Sequence, residues 1–207
     1  MIKDFINDVN YEDAKPYNPS FLVTITAYDG KRKLDFARLT SSKLKIFLLS
    51  NDYVRNYYLS KGFPSSKVEE LVRNINEQRL KLLKDNKISV VFDANFNNDE
   101  SYERVLGDGY QVIKVKIETN DVDNVREITK RNYEPSKVIR GVIGDKYQYE
   151  SSYDENTYYE IKRRKQINLP DECFDYVIKD YETEEEFNNK AVLVIGDIEK
   201  RFNNKVN

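Results

Sequence analysis

Histidine is absent from the chain, and cysteine occurs once in its 207 residues. Without histidine the protein cannot build a His-ligated zinc site, and it cannot activate a nucleophile through a Ser-His or Cys-His pair. A single cysteine rules out an internal disulfide bond. Because Cys173 lies beside the apolar run at residues 174–178, we expect it to be a core residue. These absences narrow the chemistry open to the chain more than any of its motifs does.

Long apolar runs and a strong net charge are absent as well. No apolar run approaches the ~18 residues of a transmembrane helix, so we expect no membrane contact. Residues 1–13 lack the cationic start and apolar core of a signal peptide, which favours a cytoplasmic protein. The formal net charge is −2, with 34% charged residues of both signs, so no overall field draws the chain to nucleic acid. The length suits one domain or two small ones.

The chain is organised around residues 21–39. Residues 21–26 form a short apolar, β-branched run, which is typical of a strand buried on both faces. Polar residues 27–32 follow, and then Lys33 and a helical pattern. Strand, turn, lysine and helix in this order is the layout of a phosphate-binding P-loop, whose pattern is G-x-x-x-x-G-K-[ST]. The spacing is kept here, but the residues read A-x-x-x-x-R-K-L.

Three of the four defining positions of that pattern are substituted. Ala27 and Arg32 replace the glycines that allow close backbone approach to phosphate, and Leu34 replaces the hydroxyl that ligates Mg²⁺. Lys33 remains to neutralise the β/γ oxygens. The Arg32 Cβ crowds the turn, although its guanidinium could itself hold an anion. We therefore expect an impaired or absent ATP site.

Two alternatives stay open at this loop. A water molecule or an acid could replace the missing hydroxyl, and Asp35 and Asp93 are the candidate acids. A different register takes Gly30-Lys31 as the G-K pair. It puts Ile25 at the first glycine position and shifts the helix out of register at Phe36-Ala37.

Apolar runs alternate with helical patterns along the rest of the chain. We predict strands at residues 21–26, 44–49, 88–92, 110–117 and 174–178, with helices from about Lys33 and Tyr53, at 68–83, 99–106 and 122–130, and at the end of the chain. This alternation predicts an α/β fold with a parallel, right-handed βαβ sheet. Ligands bind beyond the carboxyl ends of such strands, so Asp52, Asp93 and the turn before Lys33 are expected to cluster there.

Five short motifs occur in one order along this framework. They are Lys33 with Phe36-Ala37-Arg38, Asp52 with Arg55, Asp93 with Asn95 and Asn97, the strand that follows Gly109, and a later segment with Arg126 and Arg131. In this order the chain resembles P-loop kinases of the polynucleotide kinase and zeta-toxin type, over about residues 21–202. The resemblance implies a P-loop NTPase fold of the kinase type, a three-layer parallel sheet with flanking helices.

The resemblance also implies roles for the acid and arginine positions. Asp52 would activate the attacking hydroxyl and Arg55 would hold the substrate phosphate, whereas a helix cap with a surface arginine is the alternative. Arg126 and Arg131 would be lid arginines that stabilise charge on the transferred phosphoryl group. A solvated helix face is the alternative for these two arginines.

The ATP and Mg²⁺ site implied by the resemblance falls on the loop and the third strand. Gly30, Arg32 and Lys33 would hold the phosphates, and Asn95 would line the site. Asp93 would orient Mg²⁺ or its water shell. An Asx-turn acid that closes a strand is the alternative for Asp93.

Two segments depart from the kinase layout. Residues 1–20 form an N-terminal extension, which we expect to contain a helix packed outside the first strand. Residues 146–168, inside the kinase-like domain at 21–207, predict an inserted β-hairpin with a turn at 154–156. Its basic run at 162–165 could follow a nucleic-acid strand together with nearby tyrosines, or it could be an exposed charged surface.

Three functions are compatible with these patterns. The first is a pseudokinase that has lost ATP chemistry and binds a nucleotide, a nucleic-acid end or a protein partner. The second is an active kinase that uses ATP and Mg²⁺ on nucleic-acid 5′ ends, nucleosides or nucleotides. The third is an interaction protein whose working surface is the hairpin at residues 146–168.

Overall fold

The structure is a computed structural model that describes the greater part of the chain. It describes residues 9–27, 31–93, 110–118, 138–139, 143–145, 148–149, 170–179 and 183–203. The predicted helices at 99–106 and 122–130 lie outside these ranges, as does most of the predicted hairpin at 146–168.

Nine strands and four helices are defined in the described residues. The strands are β1 (Val9–Asn10), β2 (Phe21–Ala27), β3 (Phe47–Ser50), β4 (Val90–Asp93), β5 (Gln111–Ile117), β6 (Val138–Ile139), β7 (Gly144–Asp145), β8 (Gln148–Tyr149) and β9 (Tyr176–Ile178). The helices are α1 (Lys31–Leu44), α2 (Asn51–Ser60), α3 (Ser65–Asp85) and α4 (Glu184–Asn203), and a 3₁₀ turn spans Asp171–Cys173.

Seven of the strands form one sheet in the order β1-β7-β3-β4-β2-β5-β9. The strands β3, β4, β2, β5 and β9 are all parallel, and β1 pairs antiparallel with β7 at one edge. The register places Ser50 opposite Asp93, so β3 and β4 end side by side. The predicted parallel α/β sheet is confirmed, and the carboxyl ends of its central strands share one edge.

Helices cover both faces of this sheet because its buried strands carry apolar side chains on both sides. Phe21, Val23 and Ile25 of β2 face one layer, where they pack with α1 and α4. Leu22 faces the opposite layer, where Leu80 of α3 belongs to the same core cluster. The apolar run that predicted a strand buried on both faces therefore lies at the centre of a three-layer core.

The second strand starts later than predicted. We predicted it at residues 44–49, but α1 continues through Leu44 and β3 begins at Phe47. Lys45, with a φ of 52°, takes the left-handed conformation that ends the helix. Glycine is the usual residue in this position, so the sequence lacks the signal that would have marked the boundary.

Cys173 is exposed, and our prediction that it is a core residue is wrong. The apolar run beside it predicts a strand from residue 174, but β9 begins only at Tyr176. Cys173 lies before the strand in the 3₁₀ turn Asp171–Cys173, where its side chain does not enter the core.

The N-terminal extension is described only from residue 9, so almost all of the segment expected to form a helix lies outside the described residues. Residues 1–8 lie outside the described ranges, and Val9–Asn10 forms strand β1 against Gly144–Asp145. Tyr17 then enters the core, where its hydroxyl donates to the carbonyl of Leu44 at 3.0 Å. The extension is therefore attached to the sheet edge and to the end of α1.

None of the helices in the described ranges is long and apolar enough to cross a membrane.

Gly196 offers a stabilising substitution inside α4. A Cβ built at this position would meet nothing within 4 Å, and glycine in a helix interior costs about 0.5–1 kcal/mol relative to alanine. We expect Gly196→Ala to raise the free energy of unfolding by about that amount and the Tm by about 2 °C. Thermal unfolding followed by circular dichroism measures both.

Gly62→Ala is the matched control for that substitution. Gly62 also has open space around it, but its φ is +78°, a conformation that strains alanine. We expect Gly62→Ala to lower the Tm. A Gly196→Ala variant with an unchanged or lower Tm would contradict the open helical environment of Gly196.

Candidate active site at the sheet edge

A buried ion pair lies where β2 and β4 end. Lys33 belongs to the first turn of α1, the helix that follows β2, and Asp93 is the last residue of β4. Lys33 Nζ lies 3.3 Å from Asp93 Oδ1, and the two side chains are 9% and 4% exposed. The structure thus brings together the lysine of the loop pattern and the predicted metal-site acid.

The other loop positions have different surroundings. The Arg32 guanidinium carbon lies 4.9 Å from the ring centroid of Phe187 in α4, so Arg32 has a cation–π contact across the two helices. Leu34 is half-buried in the same helical turn and offers no oxygen ligand. Gly30 lies outside the described residues, so the alternative register with Gly30 and Lys31 stays a hypothesis.

Asp52 and Arg55 lie in the first turns of α2, directly after β3. Ser50 caps this helix, because its hydroxyl accepts a hydrogen bond from the Asp52 backbone N–H at 3.2 Å. The Asp52 carboxylate pairs with the Nη1 group of Arg55. Since Ser50 is the register partner of Asp93, this acid–arginine pair starts beside the Lys33–Asp93 pair. Lys33, Asp52 and Asp93 thus all lie at the carboxyl edge of the sheet, whereas residues 28–30 of the turn lie outside the described residues.

Glu69 of α3 completes the surroundings of Arg55. Arg55 Nε donates to Glu69 Oε1 at 2.7 Å, and Arg55 Nη2 donates to Oε2 at 3.1 Å. Glu69 is not among the predicted site residues, since it is 14 positions away from Arg55 on an exposed helix face. No local pattern in the sequence marks this pairing.

Buried polar side chains of α3 form hydrogen bonds with the start of α2. Asn76 Nδ2 donates to Asn51 Oδ1 at 2.7 Å and to the Ser50 carbonyl at 3.4 Å. Arg79 Nη1 in turn donates to Asn76 Oδ1 at 3.3 Å. Neither α3 residue is among the predicted site residues, although the sequence carries a signal for them. Asn76 and Arg79 fall inside the apolar stripe of the helix, between Ile75 and Leu80.

Four charged side chains lie together at the carboxyl ends of β5 and β9. Lys116 pairs with Glu118 at 2.6 Å and with Asp171 at 2.9 Å, and Lys179 pairs with Asp171 at 3.0 Å. The hydrogen bonds to Glu118 and Asp171 raise the pKa of Lys116, and the hydrogen bonds from the two lysines lower the pKa of Asp171. Two positive and two negative groups thus compensate one another at neutral pH.

Phosphate and Mg²⁺ fit this edge differently. Lys33 in the first turn of α1 suits an anion, since helix N-termini and lysines both attract phosphate. A directly held Mg²⁺ fits poorly, because Leu34 supplies no oxygen and Asp93 pairs with Lys33. Within the described ranges there is no group of three acidic, histidine or cysteine side chains that could hold a metal ion.

Four of the predicted site residues cannot be placed. Gly30, Asn95, Arg126 and Arg131 lie outside the described residues. The lid roles of the two arginines and the site-lining role of Asn95 therefore stay predictions.

Comparison with known proteins identifies the fold through structure alone. No protein-family model matches the sequence. No curated protein matches it either. A candidate kinase of Chloroflexus aurantiacus has a TM-score of 0.64 at 15% sequence identity, covering 88% of this chain and 97% of that chain. Shikimate kinase of Bacteroides thetaiotaomicron has a TM-score of 0.50 at 13% identity, covering 86% of this chain and 98% of that chain.

A third similar structure comes from the PezAT chromosomal toxin–antitoxin system of Streptococcus pneumoniae. Its TM-score is 0.52 at 12% identity, and the match covers 64% of this chain and 60% of that chain. Identities this low establish similarity of fold and no more. With five parallel strands, helices on both faces and these structural neighbours, the chain has the α/β fold of P-loop kinases.

Proposed function

We propose that the protein is a polynucleotide-kinase-like P-loop protein with a degenerate phosphate loop, a pseudokinase that binds a nucleotide or nucleic-acid end but is impaired in phosphoryl transfer. The observation that carries this proposal is the buried ion pair between Lys33 and Asp93. It lies at the carboxyl edge of the sheet, the position at which α/β folds bind ligands.

The ion pair favours binding over transfer. A working loop presents its lysine to the β/γ phosphates and holds Mg²⁺ through the next residue. Here Lys33 is compensated by Asp93, so an incoming phosphate has to displace that carboxylate from the lysine. Leu34 cannot hold the metal ion that stabilises charge during transfer. Lys33 can still attract a phosphate, but the usual metal-assisted step lacks a ligand.

The finer assignment to the polynucleotide kinase and zeta-toxin type comes from the order of the sequence motifs. Two of them, Lys33 and Asp52 with Arg55, lie at the same sheet edge as Asp93. A chain of the PezAT toxin–antitoxin system is similar in fold at 12% identity. That likeness supports the proposal at the level of fold.

An active kinase is the second candidate function. The supporting observation is that Asp52 follows the end of β3 and Asp93 is the last residue of the adjacent β4, an arrangement that would suit a general base beside a metal-site acid. In that case the substrate would be a nucleic-acid 5′ end, a nucleoside or a nucleotide, with ATP and Mg²⁺ as cofactors. Asp52→Asn would then abolish any measured transfer, and unchanged transfer would remove Asp52 as the base.

A protein partner is the third candidate, through the surface around residues 146–168. The observation in its favour is that β8, at the start of this segment, contacts α2, which carries Asp52 and Arg55. Its described strand partner is β6, which precedes it in the chain. Deletion of residues 150–168 should then abolish partner capture while the thermal transition of the fold survives. A deletion variant that still captures the partner would exclude this surface.

The pseudokinase proposal is tested by a thermal-shift titration with ATP and GTP, with and without Mg²⁺. A ligand at 100 times its Kd stabilises the native state by about 2.7 kcal/mol, which raises the Tm by several degrees in a chain of this size. We expect a nucleotide-induced shift that does not require Mg²⁺ and that is lost in Lys33→Met.

Lys81→Ala is the matched control, since Lys81 is an exposed lysine of α3 that is distant from the loop in sequence. This variant should keep the full nucleotide shift. Two results would contradict the proposal. One is a shift that requires Mg²⁺, which would support the active kinase, and the other is no shift with any nucleotide.

A further inference from the structure

The guanidinium of Arg55 is bound on two sides by carboxylates. Its Nε and Nη2 groups donate to the two oxygens of Glu69 at 2.7 and 3.1 Å, and its Nη1 group pairs with Asp52. Its side chain is 20% exposed, that of Asp52 is 10% exposed, and that of Glu69 is 62% exposed. Arg55 is thus enclosed on the protein side by Asp52 and on the solvent side by Glu69.

The Glu69 contact uses the edge of Arg55 that suits a phosphate. Arginine binds carboxylates and phosphates through two parallel N–H donors, and the geometry is the same for both anions. The two Glu69 oxygens therefore occupy the positions that two phosphate oxygens would take. The Glu69 carboxylate also brings a negative charge to this edge of the guanidinium, which repels a phosphate until Glu69 moves.

The Glu69 contact can be opened at little cost. An ion pair with an exposed partner is weak, because water screens it and the side chain regains its freedom when the pair breaks. The Asp52 contact is more buried and lies next to the capped start of α2. A phosphate that approaches from solvent would therefore replace Glu69 and leave Asp52 in place.

We propose that Glu69 competes with phosphate for Arg55, the residue expected to hold a substrate phosphate. This competition makes Glu69 a specificity-determining residue for the substrate. Glu69 lowers the affinity for ligands that carry a phosphate at this position and favours ligands that are unphosphorylated there. The inference rests on the proposed function for the identity of the cleft, but the contact itself can be tested separately. It concerns Arg55 and α3, whereas the nucleotide proposal concerns Lys33.

Isothermal titration with inorganic phosphate at constant ionic strength tests the competition. The Lys33→Met background removes the phosphate-attracting lysine at the start of α1. In that background we expect Glu69→Gln to tighten phosphate binding on the order of fivefold, the size expected for loss of one exposed competing ion pair. Glu70→Gln removes the same charge from an exposed neighbour on the same helix, and we expect it to change the Kd by less than about twofold.

Arg55→Gln in the Glu69→Gln background identifies the binding group. We expect this substitution to abolish the gain in phosphate affinity. The inference is overturned if Glu69→Gln and Glu70→Gln have equal effects, or if the gain persists without Arg55. If ATP does not raise the Tm of the wild type but Glu69→Gln tightens phosphate binding, the nucleotide proposal is rejected and the competition by Glu69 is supported. If ATP raises the Tm but Glu69→Gln does not tighten phosphate binding, the competition by Glu69 is rejected and the nucleotide proposal is supported.

Discussion

Lys33→Met is expected to lower the free energy of unfolding by about 3 kcal/mol, because it leaves a buried carboxylate without its lysine. The Asp93 side chain is 4% exposed, and its Oδ1 lies 3.3 Å from Lys33 Nζ. Methionine keeps much of the apolar stem of the lysine, so the loss reports the charge rather than the packing. Urea denaturation followed by circular dichroism measures it, and the Tm should fall by several degrees.

A double-mutant cycle separates the ion pair from the rest of the environment. Asp93→Asn alone should also destabilise the fold, since it leaves the buried ammonium of Lys33 without its carboxylate. The double variant Lys33→Met/Asp93→Asn should cost less than the sum of the two single variants, because neither unpaired charge then remains. If the destabilisation of the double variant equals the sum of the destabilisations of the two single variants, the ion pair does not couple α1 to β4.

Arg79→Ala is expected to produce a loss of similar size, about 3 kcal/mol, for a different reason. Arg79 is fully buried, and its guanidinium carbon lies 5.7 Å from the ring centroid of Phe47 and 5.6 Å from that of Tyr53. Truncation removes these cation–π contacts, opens a cavity and takes a hydrogen bond from Asn76. Urea denaturation compared with the wild type measures the cost.

Lys81→Ala is again the matched control, as an exposed cation on the same helix. Its effect should lie within about 0.5 kcal/mol of zero. Arg79 donates a hydrogen bond to Asn76, and Asn76 donates hydrogen bonds to Ser50 and Asn51 at the start of α2. An Arg79→Ala variant as stable as Lys81→Ala would mean that this network does not hold α2 at the sheet.

The parallel sheet could be predicted from sequence because burial on both faces leaves an unbroken apolar run. β2 and β4 belong to such runs, and both have neighbours on each side in the sheet. We predicted α2 from about Tyr53, and it begins slightly earlier, at Asn51, because the Ser50 hydroxyl caps the helix. The cluster of Lys33, Asp52 and Asp93 followed from these assignments, because parallel strands place their carboxyl ends together.

Other features could not be predicted because they depend on contacts between distant segments. The pairing of Val9–Asn10 with Gly144–Asp145 joins two short segments that have no local strand signal. The Arg55–Glu69 pair depends on how α2 packs against α3, which a helical pattern does not specify. Lys45 ends α1 with a positive φ that glycine would normally provide. In each case tertiary structure determines a feature that the local sequence leaves open.

The polar residues of α3 show that a helical pattern in the sequence can also predict a buried hydrogen-bond network. Asn76 and Arg79 interrupt the apolar stripe of an amphipathic helix, and both are fully buried. A polar side chain at a core position requires a hydrogen-bond partner, so a polar residue within an apolar stripe predicts a buried network. Here that network supports the helix that carries Asp52 and Arg55.

One assay distinguishes the proposed pseudokinase from an active kinase. It measures transfer of the labelled γ-phosphoryl group of ATP, in the presence of Mg²⁺, to nucleic-acid 5′ ends, nucleosides and nucleotides. A buried Lys33–Asp93 pair next to Leu34 predicts no transfer that depends on Lys33, although nucleotide still raises the Tm. Transfer by the wild type that is abolished in Lys33→Met and retained in Lys81→Ala would contradict the account and establish an active kinase.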